Sequence, residues 1–215
     1  MTERGASVLL LHGMFRSAYA MLPLSYHLAR EGYQVHSVVY PTRIYDVAEL
    51  ARRYLGPAIA ACPSTRPVHL VTHSLGGIIA RQHLQTARLP SSSRIVMLAP
   101  PNNGSEVADR LCSWPVYRWL MADVGQQVRT GPDGIGWRLQ PVAEEIGVIA
   151  GRRTAQPWFS RLIPGEDDGV VSVASTRLPE MRDFIVVDSS HTLMLLDRGV
   201  HRQIRHFLLT GGFLH

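Results

Sequence analysis

Short apolar, β-branched runs alternate along this chain with stretches of helical period. SVLLLH (7–12) reads as a strand, and residues 17–31 follow with helical spacing and Ser17 as N-cap. VHSVVY (35–40) is the next strand, and DVAELARRYLGPAIAA (46–61) the next helix, opening on Asp46. VHLVTH (68–73), a helix from Ser74 to about Thr86, and RIVMLAP (94–100) continue the alternation. It stops at PPNNGS (100–105) and resumes with IGVIAG (146–151), DFIVVDSS (183–190) and a helix from Asp197 to Leu209.

Near-continuous apolar strands separated by helices predict an α/β chain with a mostly parallel central sheet covered on both faces. The interrupting stretch, about 102–145, is aromatic, helical and punctuated by Gly and Pro, and it is too long for an ordinary connection. It predicts a small helical cap inserted into one domain spanning 1–215. No internal repeat is visible.

Composition narrows the function classes. With 215 residues, 46% of them apolar and 18% charged, the chain has material for one well-buried core. All 22 basic residues are arginine, so no side-chain amine exists to form a Schiff base. The net charge of +5 is scattered, without a stripe that would suit nucleic acid. Cys62 and Cys112 lie outside any CxxC and read as free thiols, with one disulfide as the alternative. No signal peptide and no run of membrane-spanning length is recognisable, so the expectation is a soluble, cytoplasmic protein. No HExxH or paired-cysteine site points to a metal, although Glu166 and Asp167 are acidic residues without an assigned task.

The chemistry concentrates on THSLG (72–76). Ser74 ends a strand and begins a helix, where a parallel sheet opens its ligand crevice. Gly76 and Gly77 permit a tight turn, and the helix N-terminus aims N–H groups at anything bound beside the serine. Two readings of the stretch stand side by side: a presented nucleophile, or a serine capping a helix. The usual nucleophile pattern is G-x-S-x-G, and Thr72 replaces its first glycine.

A serine nucleophile needs a base and an oxyanion site. His191, just past the last strand, is the candidate base. Asp168, in PGEDDGVVSV, is the candidate carboxylate, 191 − 168 = 23 residues earlier. After the first strand, His12-Gly13-Met14-Phe15 turns so that the Met14 N–H, with that of Leu75, forms a two-donor oxyanion hole. His12 is expected to hold the loop, and His73 to be packed or hydrogen-bonded. His201 and His206, five apart, read as surface residues.

LLLHGMF, VTHSLGG, APPNNGSEVAD, the DGVVSV block and SSHTLM together resemble the α/β-hydrolase superfamily, most closely its bacterial lipase- and esterase-like serine hydrolases. The likeness runs from residue 7 to about 209, with five blocks in order. It implies Ser74 as nucleophile, Asp168 as acid, His191 as base, and Met14 and Leu75 as oxyanion donors, with no cofactor. The implied reaction is hydrolysis of a small-molecule or lipid-like carboxylic ester with an apolar acyl group. A thioesterase, an acyltransferase, a non-catalytic binding protein of the same fold and an anionic-lipid-associated protein are the rivals. Trp114, Val116, Tyr117, Trp119, Leu120 and Met121 form either a buried cap core or an acyl-binding wall; in the second reading Phe15, Trp114 and Trp119 contact substrate. PPNNG is either a rigid turn or part of the pocket wall.

Overall fold

A computed structural model of the chain describes residues 5–215, except for the side chains of 117, 118 and 120–123. The six apolar runs are six strands: β1 (Ser7–Leu11), β2 (Gln34–Val38), β3 (Val68–His73), β4 (Arg94–Leu98), β5 (Glu145–Gly151) and β6 (Asp183–Val187). They pair in the order β2-β1-β3-β4-β5-β6, every neighbour parallel. The chain therefore starts inside the sheet, steps out to β2, and returns past β1 to grow the other way. The reversal lies between β1 and β3, whose following loops diverge and leave a crevice at their carboxyl ends.

Side-chain alternation divides the core. Leu9, Leu70, Ile95 and Ile146 stand in register on one face. Val8, Leu10, Val71, Val96 and Ile149 line the other. The second face is covered by α1 (Leu22–Arg30) and the last helix, α9 (Arg198–Thr210). The first is covered by a helical run and by α4 (Leu75–His83). That run comprises α2 (Val47–Leu50), a π-helical turn at Ala51–Leu55 and α3 (Gly56–Ala60). Asp46 accepts a hydrogen bond from Glu49 N at 2.7 Å and Asp197 one from Gly199 N at 2.7 Å, so the two helices expected to open on these aspartates are capped by their side chains. Ser17 differs. It precedes a 3₁₀ turn, Ala18–Met21, without a side-chain capping bond, and the α-helix begins only at Leu22 with Pro23 in its first turn.

Between β4 and β5 lie α5 (Glu106–Leu111), α6 (Pro115–Gln127) and α7 (Ile135–Arg138); α8 (Pro157–Ser160) follows β5. Ala108, Val124, Val128, Ile135 and Leu139 from this segment join the same buried cluster as α2 and α4. Its aromatic residues do not. Trp114, Val116 and Trp119 are 61%, 72% and 73% exposed, so the buried-core reading fails for them; the side chains of Tyr117, Leu120 and Met121 lie outside the described ones. The segment buries small and branched residues one helical turn apart and turns Trp114, Trp119 and Trp137 outward.

Both cysteines are free thiols, donating to the Ala58 and Asp109 carbonyls. His201 corrects the surface expectation: it is buried, with Nε2 2.8 Å from Leu195 O. Its helical neighbours Ile204 and Leu208, three and seven positions on, put it on the apolar stripe of α9. His206 is half-buried, its Nδ1 2.8 Å from Gly212 O. Among the described residues no helix is long and apolar enough to cross a membrane.

Candidate active site

Of the four non-glycine residues with positive φ among those described, three stand at the carboxyl ends of neighbouring strands: Phe15 after β1, Ser74 after β3 and Ala99 after β4. Such conformations store about 1–3 kcal/mol each and persist where the surroundings enforce them. At Ser74 the enforcement is visible. Its N–H donates to Leu98 O at 2.8 Å, its carbonyl accepts from Gly77 N at 2.9 Å, and φ/ψ is 52°/−120°. A capping serine is extended and bonds the first turn; Ser74 is neither extended nor makes a side-chain capping bond. The helix-cap reading of THSLG therefore falls.

Glycines make room for this turn. A Cβ on Gly76 would lie 2.6 Å from Leu11 O, and one on Gly13 would lie 3.1 Å from Ser74 Cβ. Thr72, where the common pattern has glycine, is fully buried, and its Oγ1 would stand 3.4 Å from a Cβ on Gly77. The second glycine of the pair thus accommodates the extra side chain. The hydroxyl itself has no hydrogen-bond partner among the described residues.

Asp168 and His191 come together. His191 Nδ1 lies 2.7 Å from Asp168 Oδ2, and His191 N donates to Asp168 O at 3.0 Å. Asp168 is inaccessible to solvent, and its other oxygen accepts from Val170 N and Val171 N at 3.0 and 2.8 Å. Gly169, at φ 95°, makes the turn that folds those amides back. The neighbouring Asp167 points elsewhere: its Oδ1 accepts from Ser160 Oγ at 2.6 Å and Gly169 N at 2.7 Å. Gly151 at the end of β5 has no sequence signal beyond ending an apolar run, yet a Cβ there would lie 2.9 Å from Asp168 Cβ. Among the described residues no three His, Cys, Asp or Glu groups are placed to hold a metal ion.

The histidines beside the serine have structural partners. His73, fully buried on β3, has Nε2 2.7 Å from the carbonyl of His191, and the two rings stand 4.7 Å apart. Burial, then the adjacent His191, holds its pKa well below the ordinary 6.5. His12 lies stacked on Tyr40 at 4.2 Å, its Nδ1 2.9 Å from Gly13 O, while the Tyr40 hydroxyl donates to its carbonyl. Burial lowers its pKa as well.

At the β1 loop, Phe15 N–H donates to Thr42 Oγ1 at 3.3 Å, whereas Met14 N–H has no protein acceptor among the described residues. Leu75 N is the first amide of α4, where no intrahelical acceptor exists. Phe15 is 47% exposed. Trp119 is brought to the loop beside Thr42, its carbonyl accepting from Arg43 Nη2 at 3.0 Å. The Trp114 N–H donates to Leu111 O at 2.9 Å, and its indole is exposed. PPNNG acts as a tie. Asn102, buried, donates through Nδ2 to Thr176 O at 2.8 Å, and Asn103 Nδ2 donates to Arg177 O at 2.8 Å.

Sequence reasoning missed Arg81. It sits on α4, 3% exposed, without a hydrogen-bonded carboxylate among the described residues, and donates to the carbonyls of Asn102, Gly136 and Leu139 at 3.1, 3.4 and 3.2 Å. A buried guanidinium thereby fastens the β4–β5 segment to the helix that follows Ser74.

The fold has known counterparts. The mature lipase BlEst2 of Bacillus licheniformis superposes with a TM-score of 0.71 at 19% identity, over 96% of this chain and 92% of that one. The metagenomic carboxyl esterase MGS0156 gives 0.68 at 17% identity, over 96% and 74%. The phospholipase PlaB of Legionella pneumophila gives 0.65 at 20%, over 80% of this chain but only 45% of its own. Comparison with curated proteins yields no match. At these identities the likeness is one of fold. The model of the alpha/beta hydrolase family, however, matches residues 8–211, nearly the whole length, and the chain belongs to that family.

Proposed function

We propose that the protein is a serine hydrolase that cleaves carboxylic esters with an apolar acyl group. The observation that carries the reading is the buried His191–Asp168 pair at 2.7 Å, on loops at the same carboxyl end of the sheet as a serine held at φ 52°. Ser74 Oγ attacks the ester carbonyl as His191 Nε2 takes its proton, and Asp168 holds the imidazole in the Nδ1–H tautomer and stabilises its cation. The Met14 and Leu75 amides donate to the oxyanion. His191 passes its proton to the departing alcohol, then activates water to release the acid from the acyl-enzyme. Phe15 and Trp119, exposed and brought beside the Thr42–Arg43 loop, supply apolar surface for the acyl group.

The experiment is hydrolysis of p-nitrophenyl esters of increasing chain length, with Ser74→Ala as control. Ser74→Ala lowers kcat by about 10⁴- to 10⁶-fold while the protein still folds. A variant keeping a tenth of the activity puts the nucleophile elsewhere. Faster turnover of matched thioesters than of esters makes it a thioesterase with the same residues.

A further inference from the structure

Two arginines stand on the loops that flank the candidate oxyanion site, Arg16 after β1 and Arg43 after β2. The Phe15–Thr42 hydrogen bond joins these loops, and each arginine is the next residue after an anchor of that bond. Both are exposed, and among the described residues neither lies within ion-pairing distance of a carboxylate. This sets them apart from Arg152 and Arg153, just after β5, whose charges face Asp188 at the end of β6. Arg43 is committed: it donates to the Trp119 carbonyl, with its guanidinium 5.5 Å from that ring. Arg16 is not. Its Nη2 donates at 2.7 Å to Thr192 Oγ1, a neutral hydroxyl on the residue after His191.

The place of that contact decides what Arg16 meets. The base must hand its proton to the departing alcohol oxygen, so the alcohol portion of an ester lies on the side of His191. Thr192 is next along that loop, and the guanidinium bound to it is a fixed fork of donors suited to a carboxylate or phosphate. Arg16 is also set in place from its own side, its N–H donating to Gly13 O at 3.2 Å. We propose that Arg16 is a specificity-determining residue that binds an oxyanion, a carboxylate or phosphate, carried on the alcohol portion of the substrate. The proposal rests on the ester-hydrolase reading above.

The test compares two butyrate esters with matched leaving groups, one of 4-hydroxybenzoate and one of 4-hydroxybenzamide. The wild type is expected to favour the anionic ester in kcat/KM by roughly fivefold at low salt, the scale of an exposed ion pair, with the preference shrinking as salt rises. Arg16→Gln brings the ratio to about one, and Arg16→Lys keeps part of it. Arg43→Gln removes the same charge one loop away and leaves most of the preference. Thr192→Val breaks the tie but retains the cation, and keeps the preference too. Equal losses on both esters in Arg16→Gln and Thr192→Val make Arg16 a strap only and overturn the proposal. So does a ratio that Arg43→Gln abolishes as fully, which assigns the effect to the general field. Absence of turnover on either ester fails the hydrolase reading instead. Calorimetric binding of 4-hydroxybenzoate against 4-hydroxybenzamide then decides the anion site, equal affinities rejecting it.

Discussion

Replacing Asp168 by asparagine tests the candidate site through a constraint peculiar to this loop. Asp168 Oδ1 accepts two backbone N–H groups, from Val170 and Val171, at 3.0 and 2.8 Å. An asparagine must keep its carbonyl oxygen there, because flipping the amide sets NH₂ against two donors. The NH₂ is therefore forced toward His191 Nδ1, 2.7 Å away from the present Oδ2, and the imidazole must accept at Nδ1. That fixes the proton on Nε2, the atom needed to receive the serine proton. Wrong tautomer and lost cation stabilisation together lower kcat by about 10⁴-fold. The fold survives, since the two amides keep their acceptor. The lost charge-assisted bond, about 2 kcal/mol, lowers Tm by roughly 4–8 °C in a domain of this size. Asp167→Asn keeps its Ser160 and Gly169 donors at one oxygen and changes kcat by about tenfold or less. The assay is p-nitrophenyl butyrate hydrolysis with active sites titrated by a fluorophosphonate, beside thermal unfolding of both variants. The reverse ranking makes Asp167 the acid, and full activity in Asp168→Asn refutes the tautomer argument.

Three further outcomes follow from described contacts. Thr72→Val exchanges a buried hydroxyl without a described partner for a methyl of the same shape, so Tm should hold or rise by a few degrees; a fall of several degrees means that the hydroxyl is bonded. Trp119→Ala removes an exposed indole beside Arg43, and the ratio of octanoate to acetate kcat/KM should fall by roughly fivefold or more, one methylene being worth about 1–3 kcal/mol; an unchanged profile removes Trp119 from the acyl site. His12, His27, His73 and His83 are each held below the ordinary 6.5, chiefly by burial. The unfolded chain then binds more protons than the folded one below pH 6.5, so stability is full above that pH and declines as pH falls through it. Tm measured between pH 7.5 and 5 should drop progressively, and a flat curve contradicts the buried-neutral assignment.

The strands were legible because a covered parallel sheet demands long apolar runs, and each predicted run contains a strand within a few residues. His191 is nameable for a related reason, since it follows such a run where the sheet opens; Asp168, well past the end of β5, is nameable only from its DG pair, its order before His191 and the family likeness. Residues whose role depends on distant backbone were not. Arg81 looks like any arginine on a helix, since its acceptors come from Asn102, Gly136 and Leu139, 21 to 58 positions away. The spacing of His201 to His206 suggests a surface residue, but its spacing to Ile204 and Leu208 decides its face. Trp114 and Trp119 are large and apolar and so admit a core reading, yet Val124, Val128 and Ile135 fill that space.

The contact between His73 and His191 governs how the molecule comes apart. His73 lies on β3, a strand buried at all six positions, and holds the carbonyl of His191, whose own N–H holds Asp168 O. His191 and Asp168 are thereby hung from the strand beside the switch point rather than from the surface. Neither loop is free to drift while that strand keeps its neighbours, so inactivation and melting share one cooperative transition. Residual turnover along a denaturant gradient then gauges the folded fraction directly.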